Sequence, residues 1–240
     1  MRERTLAAGV RPMLVRRPGR SNDAARGWWF VDSLARTEVK GTWATAQDVE
    51  RILDLVDRDR ASAVEQATPA ETMILVCTHS KHDVCCAVRG RPIAADLAAR
   101  RPGIVWECSH LGGDRFAGNL AILPDSTFYG GLDAVDVERL VEDHLNGDLT
   151  LENYRGSGLH PAPAQAAVAE LLRRAGSRRH GDVSVVGVQG VGTGLWEVVL
   201  AGRGELPAHT VFTVERHWRA PDKLTCLGAA PVRAAEFEVR

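Results

Sequence analysis

Short apolar runs alternate with stretches of helical period along the 240-residue chain, the rhythm of a mixed α/β protein. Met13 to Arg16 forms the first short strand. Trp28-Trp-Phe-Val-Asp and Thr37-Glu-Val-Lys-Gly-Thr-Trp43 are aromatic and β-branched, and the short connection between them predicts a strand pair. Val49, Ile52, Leu53 and Val56 then recur at helical spacing, behind a capping pattern of Thr45 and Asp48. Thr72-Met-Ile-Leu-Val76 suits a buried parallel strand ending at Cys77. From about Asp83 a helix runs to Arg101 on an apolar face of Val84, Ala87, Val88, Ile93, Leu97 and Ala98, with Pro92 a point of kinking or splitting.

Ile104-Val-Trp-Glu-Cys108 is the next strand, broken by Gly112-Gly113. Asn119 to Pro124 and Thr127 to Gly130 read as two more. Asp133 or Asp136 caps a helix through Val137, Leu140, Val141 and Leu145, stopped by Asn146-Gly147. Strand, helix, strand, two strands, helix is the order of a compact thioredoxin-like α/β layer, placed at residues 71–150. Residues 1–70 form an N-terminal α+β segment. Residues 151–240 form a C-terminal α+β segment able to pack against it. This last segment holds a helix from about Pro163 to Ala175, a hairpin of Val183–Val186 with Trp196–Leu200, and a strand from Thr210 to Trp218. Gly190-Val-Gly192-Thr-Gly194 between the hairpin strands is a glycine-rich turn, because a dinucleotide fingerprint must open a helix and here a strand follows.

Composition narrows the function classes. With 30 Lys+Arg against 31 Asp+Glu the net charge is −1, so overall charge points to neither nucleic acid nor a membrane surface. The arginines of the first segment read as a solvated edge rather than a docking patch. No secretory signal and no bilayer-spanning apolar run is visible, and the expected location is the cytoplasm. Five cysteines, an odd number and mostly clustered, fit a reduced compartment and a ligand or redox role better than a disulfide framework.

That cluster carries the chemistry. Cys77-Thr-His-Ser-Lys-His-Asp-Val-Cys85-Cys86 and Cys108-Ser-His110-Leu-Gly-Gly-Asp114 hold four of the five cysteines, and gathered thiolates with imidazole are the donors of a metal or iron–sulfur centre. Cys77 lies at a strand's carboxyl end and Cys86 near a helix N-terminus, whose partial positive charge favours thiolate. Neighbours on a helix diverge by about 100°, so Cys85 and Cys86 should not face one centre, and Cys86 is the better ligand. Cys108 and His110 project to the same side of an extended segment, and the glycine pair can bring Asp114 back, so three donors compete for two places. His79 and His82 read as solvated or supporting residues. Cys226 reads as a core or loop thiol.

At these residues the sequence resembles the sucrase/ferredoxin-like family. Cys77-x8-Cys86 stands where that family has its two cysteines, and His110-Leu-Gly-Gly-Asp114 where it has His-x-Gly-Gly-His. Asp114-Arg-Phe-Ala-Gly-Asn-Leu-Ala-Ile-Leu-Pro124 extends the likeness, as Cys226-Leu-Gly-Ala does more weakly. The resemblance implies a thioredoxin-like ferredoxin domain with a [2Fe-2S] cluster, held by Cys77 and Cys86 on one iron and by His110 and Asp114 on the other. Asp114 departs from the family's histidine, and Cys108 is the alternative fourth ligand. Carboxylate oxygen stabilises ferrous iron less than imidazole does. The expected potential therefore lies between about −400 mV for all-cysteine clusters and the roughly −150 to +300 mV of bis-histidine ones.

The resulting expectation is an electron carrier rather than a catalyst, working with an unidentified redox partner protein. Trp106, Arg89, Arg91 and Arg115 lie close to the ligands in sequence and could shape a docking surface, but core packing for Trp106 and plain solvation for the arginines are the preferred readings. Two alternatives use the same residues: a metal-free thiol redox protein working through Cys85 and Cys86, or a zinc site of Cys77, Cys86, Cys108 and His110. No paired carboxylates suggest glycoside hydrolysis.

Overall fold

The computed structural model describes residues 2–19, 26–57, 67–81, 83–226 and 230–240. Among them are thirteen strands and five α-helices, arranged around sheets of six, four and three strands.

The six-stranded sheet carries the site. Its order is β1 (Val15–Arg16), β6 (Val105–Cys108), β5 (Met73–Cys77), β7 (Leu120–Leu123), β8 (Thr127–Tyr129) and β9 (Tyr154–Ser157). Only β5 and β6 run parallel, because the helix α3 (Val84–Arg100) carries the chain back between them; the other pairs are antiparallel. All five residues of β5 are buried. Ile74 and Val76 face a core shared with Ile93 and Leu97 of α3, while Met73, Leu75 and Cys77 face a second cluster with Cys86, Cys108, Leu111 and Trp29. A strand covered on both faces explains its uninterrupted apolar run. Pro92 lies inside α3, which continues through it.

Strands β2 (Arg26–Asp32) and β3 (Thr37–Trp43) pair antiparallel, with the short β4 (Thr68–Pro69) on the far edge of β3. Helix α2 (Ala46–Asp57) opens on a reciprocal cap in which the Thr45 N–H donates to Asp48 Oδ2 at 2.9 Å and the Asp48 N–H to Thr45 Oγ1 at 3.4 Å. The remaining helices are α1 (Arg2–Ala7), α4 (Val137–Leu145) and α5 (Ala162–Ala175).

The antiparallel sheet of β10 (Val183–Gly192), β11 (Leu195–Gly202), β12 (Thr210–Trp218) and β13 (Ala235–Val239) lays Val198, Leu200, Phe212 and Val214 against Ala164, Ala167, Val168, Leu171 and Leu172 of α5. The glycine-rich stretch falls differently from expectation. Gly190 and Gly192 are strand residues of β10, and only Thr193-Gly194 makes the turn, with Gly194 at φ 72°. The predicted strand at Met13–Arg16 shortens to two residues, and β4, β9 and β13 were not anticipated. No helix of the described residues is long and apolar enough to cross a membrane.

Candidate metal centre

Cys77 ends β5, held from both sides: its N–H donates to the Asn119 carbonyl at 2.9 Å, and the next N–H, of Thr78, donates to the Cys108 carbonyl at 3.2 Å. Helix α3 starts a few residues on and lies hard against this strand end. A Cβ on Gly90 would sit 2.0 Å from the Cys77 carbonyl oxygen and 3.1 Å from its carbon. Only a residue without a side chain permits that approach. Cys86 lies one helical turn before Gly90, so the same contact delivers its sulfur to Cys77. Both cysteines are 1% exposed.

His110 arrives from the other side. Regular pairing of β6 ends at Cys108, and the N-terminal segment fixes the residues beyond it. The Ser109 N–H donates to the Leu14 carbonyl at 2.8 Å, the Leu14 N–H donates to Ser109 Oγ at 3.1 Å, and Arg11 Nη2 donates to the His110 carbonyl at 3.0 Å. The Cys77 and Cys86 sulfurs and one His110 ring nitrogen thereby lie within 4.8 Å of one another. Gly112 and Gly113, at φ 90° and 72°, then turn the chain away in a conformation that suits glycine. Behind that turn stands the guanidinium of Arg155, which a Cβ on Gly113 would approach to 3.1 Å. It stacks 3.4 Å over the Phe116 ring, and burial, helped by the nearby Arg115 charge, lowers its pKa to about 10.

Cys108 is the register partner of Cys77 in the parallel pair, yet it stands outside the group of three. Burial, and then the neighbouring Cys77, hold its thiol well above the ordinary range. Same-side alternation of Cys108 and His110 needs an extended chain past residue 108, and the strand stops there. Asp114 opens a 3-10 turn, Asp114–Phe116; its side chain, like the whole of His82, lies outside the described residues. His79 is half-buried and its carbonyl accepts the Asp83 N–H at 3.2 Å.

The adjacent Cys85 and Cys86 face different groups. Cys85 gathers with Asp83 and Cys226, one donor atom from each within 4.8 Å of the others. Asp83 is the N-cap of α3 and fully buried. Burial pushes its carboxyl up, but hydrogen bonds from the Cys226 backbone N–H and from the Cys85 side chain and backbone outweigh that and hold it below the usual carboxylate range. Burial chiefly, aided by the Cys226 thiol and the Asp83 charge, pushes Cys85 up to about 12.

Sequence reasoning missed this second group, because nothing local links Cys226 to a loop more than a hundred residues earlier. The N-terminal arginines are in part the solvated edge expected, with Arg11 exposed and the Arg16 side chain 63% exposed. Two of them also clamp β6, a role the sequence did not indicate: Arg16 Nε donates to Glu107 Oε2 at 2.7 Å and Arg17 stacks 3.5 Å over the Trp106 ring.

A family model described as sucrase/ferredoxin-like matches residues 22–156, a span that includes Cys77, Cys86, His110 and Asp114. The chain belongs to the sucrase/ferredoxin-like family. One curated relative is altered inheritance of mitochondria protein 32 of Candida glabrata, 29% identical over 104 residues, covering 36% of this sucrase/ferredoxin-like chain and 32% of that protein. The aligned stretch thus amounts to about a third of the relative's length. No solved structure matches the chain.

Proposed function

We propose that the chain holds a [2Fe-2S] cluster through Cys77, Cys86, His110 and Asp114 and passes single electrons to a partner protein. The observation that carries this reading is the convergence of two buried sulfurs and one imidazole nitrogen within 4.8 Å, from a strand end, a helix start and a separate loop. The donors fit the group: paired thiolates and imidazole are the ligand chemistry of mixed-ligand iron–sulfur centres. When bound, the cluster supplies one-electron exchange. The protein's own residues supply the rest. The first turn of α3 presents positive backbone dipoles to thiolate at Cys86. Leu111 and the surrounding apolar cluster limit water, and Arg155 places a cation beside the glycine turn that leads to Asp114. The run β5, α3, β6, β7, β8, α4 is in the order of a thioredoxin-like layer. We assign residues 71–150 to that layer, with β1 and β9 added at its edges.

The test is an oxygen-protected preparation reconstituted with iron and sulfide, scanned in the visible region. The expected result is a red-brown protein with two irons and two acid-labile sulfides per chain, about the stoichiometry of one cluster. Cys77→Ser and Cys86→Ser should abolish the colour, and Asp114→Ala should bleach it or weaken it. A colourless, iron-free chain after reconstitution would overturn the reading. A second reading has the compactness of the three donors in its favour: a single zinc ion with one open position. Colourless protein carrying one zinc per chain would select it.

A further inference from the structure

The Asp83, Cys85 and Cys226 group is chemically separate from the proposed cluster site, although it begins one residue away from it. Asp83 is not available as a ligand. Its Oδ2 accepts the Cys226 N–H at 2.6 Å and its Oδ1 accepts the Cys85 N–H at 3.4 Å, both from inside the fold, where the residue is 0% exposed. A cation would have to displace these donors, and a buried carboxylate satisfied by backbone N–H groups resists that. The carboxylate acts instead as a splint that pins the backbone of residue 226 to the first turn of α3. Two sulfurs are left side by side, within 4.8 Å, and separated by most of the C-terminal half of the sequence. Cys226 is exposed and Cys85 half-buried, so a small reagent reaches the pair through Cys226.

We propose that Cys85 and Cys226 form a reversible disulfide, made by exchange with a low-molecular-weight disulfide, that staples the C-terminal segment to the start of α3. The thiolate of Cys226 attacks one sulfur of the small disulfide, breaking its S–S bond and releasing one small thiol. Cys85 then attacks the Cys226 sulfur of the mixed disulfide and expels the second. Two protein thiols lose two electrons, the small disulfide gains them, and the two cysteine protons leave on the two released thiols. The bond anchors the residue preceding Cys86, so the pair reports the thiol balance of the surroundings at the very turn that presents Cys86. The approach needed is short, because a disulfide wants its sulfurs about 2.05 Å apart and Cys226 is carried by an exposed segment.

The experiment treats the full chain, iron-loaded and iron-free, with oxidised glutathione, then alkylates the remaining thiols and maps tryptic peptides without reduction. The expected product joins the peptide of residues 82–89 to that of residues 224–233, with the loss of two hydrogens, in both preparations. Dithiothreitol should reverse it. In Cys85→Ser the reaction should stop with glutathione on Cys226, and Cys226→Ser should give no link at all. The inference is overturned if wild-type Cys226 retains glutathione while Cys85 is alkylated. It is equally overturned if the link survives in Cys85→Ser, which would place it on Cys86. Because neither sulfur belongs to the Cys77, Cys86 and His110 group, iron content and cross-link are scored separately. The failure of either reading is therefore visible without the other.

Discussion

Gly90 shows how much of the site depends on one missing methyl group. Its α-carbon faces the Cys77 carbonyl so closely that a Cβ would fall at 2.0 Å, and the obstacle is backbone, which cannot rotate aside. Gly90→Ala should force α3 off the end of β5, costing about 1–3 kcal/mol by overpacking and separating Cys86 from Cys77. Urea unfolding would show the lowered midpoint, and iron titration the loss of tight binding. Unchanged iron affinity in a destabilised variant would mean that the two sulfurs tolerate the shift. The cysteine spacing is visible in the sequence, but this contact is not. A glycine seven residues into a helix looks like a mild defect until the neighbouring strand is known.

Helices and strands tell a similar story of partial legibility. β5, α3, the β2 and β3 pair and the Thr45 cap could be read because their signals are local: periodicity, capping chemistry, an apolar run. What stayed hidden depends on partners distant in sequence. β13 is short and alternates with charged residues, as suits an edge strand, and only its pairing with β12 makes it one. The two-residue β1 exists because β6 needs a neighbour, and the arginines around it have a purpose only against Glu107, Trp106 and His110. Glu107 is 6% exposed and takes hydrogen bonds from Arg16 and from Thr78 Oγ1, the latter at 3.2 Å. Arg16→Ala would leave this buried carboxylate short of a partner, at about 1–3 kcal/mol, toward the low end because Arg16 itself is mostly exposed. Differential scanning calorimetry would register the fall in Tm, and a Tm equal to wild type would refute a clamping role. At the start of α3, Asp83→Ala removes a cap worth about 1–2 kcal/mol and unpins residue 226. Hydrogen exchange should quicken at both Cys85 and Cys226.

Across the molecule, a polar chain links the N-terminal sheet, the central sheet, α4 and the segment before β10. Arg36 pairs with Asp125, whose Oδ2 accepts from His144 Nε2 at 3.1 Å, and Tyr129 donates to His144 Nδ1 at 2.9 Å. With Nε2 donating and Nδ1 accepting, all three groups are satisfied. Nearby, His180 Nε2 lies 3.1 Å from Thr127 Oγ1. Burial pushes Asp125 up, but His144 and Arg36 outweigh it and hold its pKa at about 2. His180 is lowered, chiefly by burial. Both shifts make the unfolded chain the better proton binder as acid is added, so both contributions shrink in the same direction. His180 should begin to destabilise the fold below about pH 6.5. The Asp125 contribution, about 2 kcal/mol, is complete above about pH 4 and disappears as the pH falls toward 2. Urea midpoints measured from pH 7.5 to 3 should fall in these two stages, and Asp125→Asn should remove the more acidic one. A midpoint flat from pH 7.5 to 4.5 would contradict the assignment of His180.

The clamp of β1 on β6 also sets a timetable for biogenesis. Arg16 precedes its partner Glu107 by 91 residues, and at about 5–20 residues per second a ribosome needs on the order of 5–20 s to deliver the second after the first. Cys77 and Cys86 emerge during that wait, before His110 exists to join them. Newborn chains therefore pass through an interval in which Cys77 and Cys86 have emerged and His110 has not, so the group of three donors is completed only after both distant strands have been made.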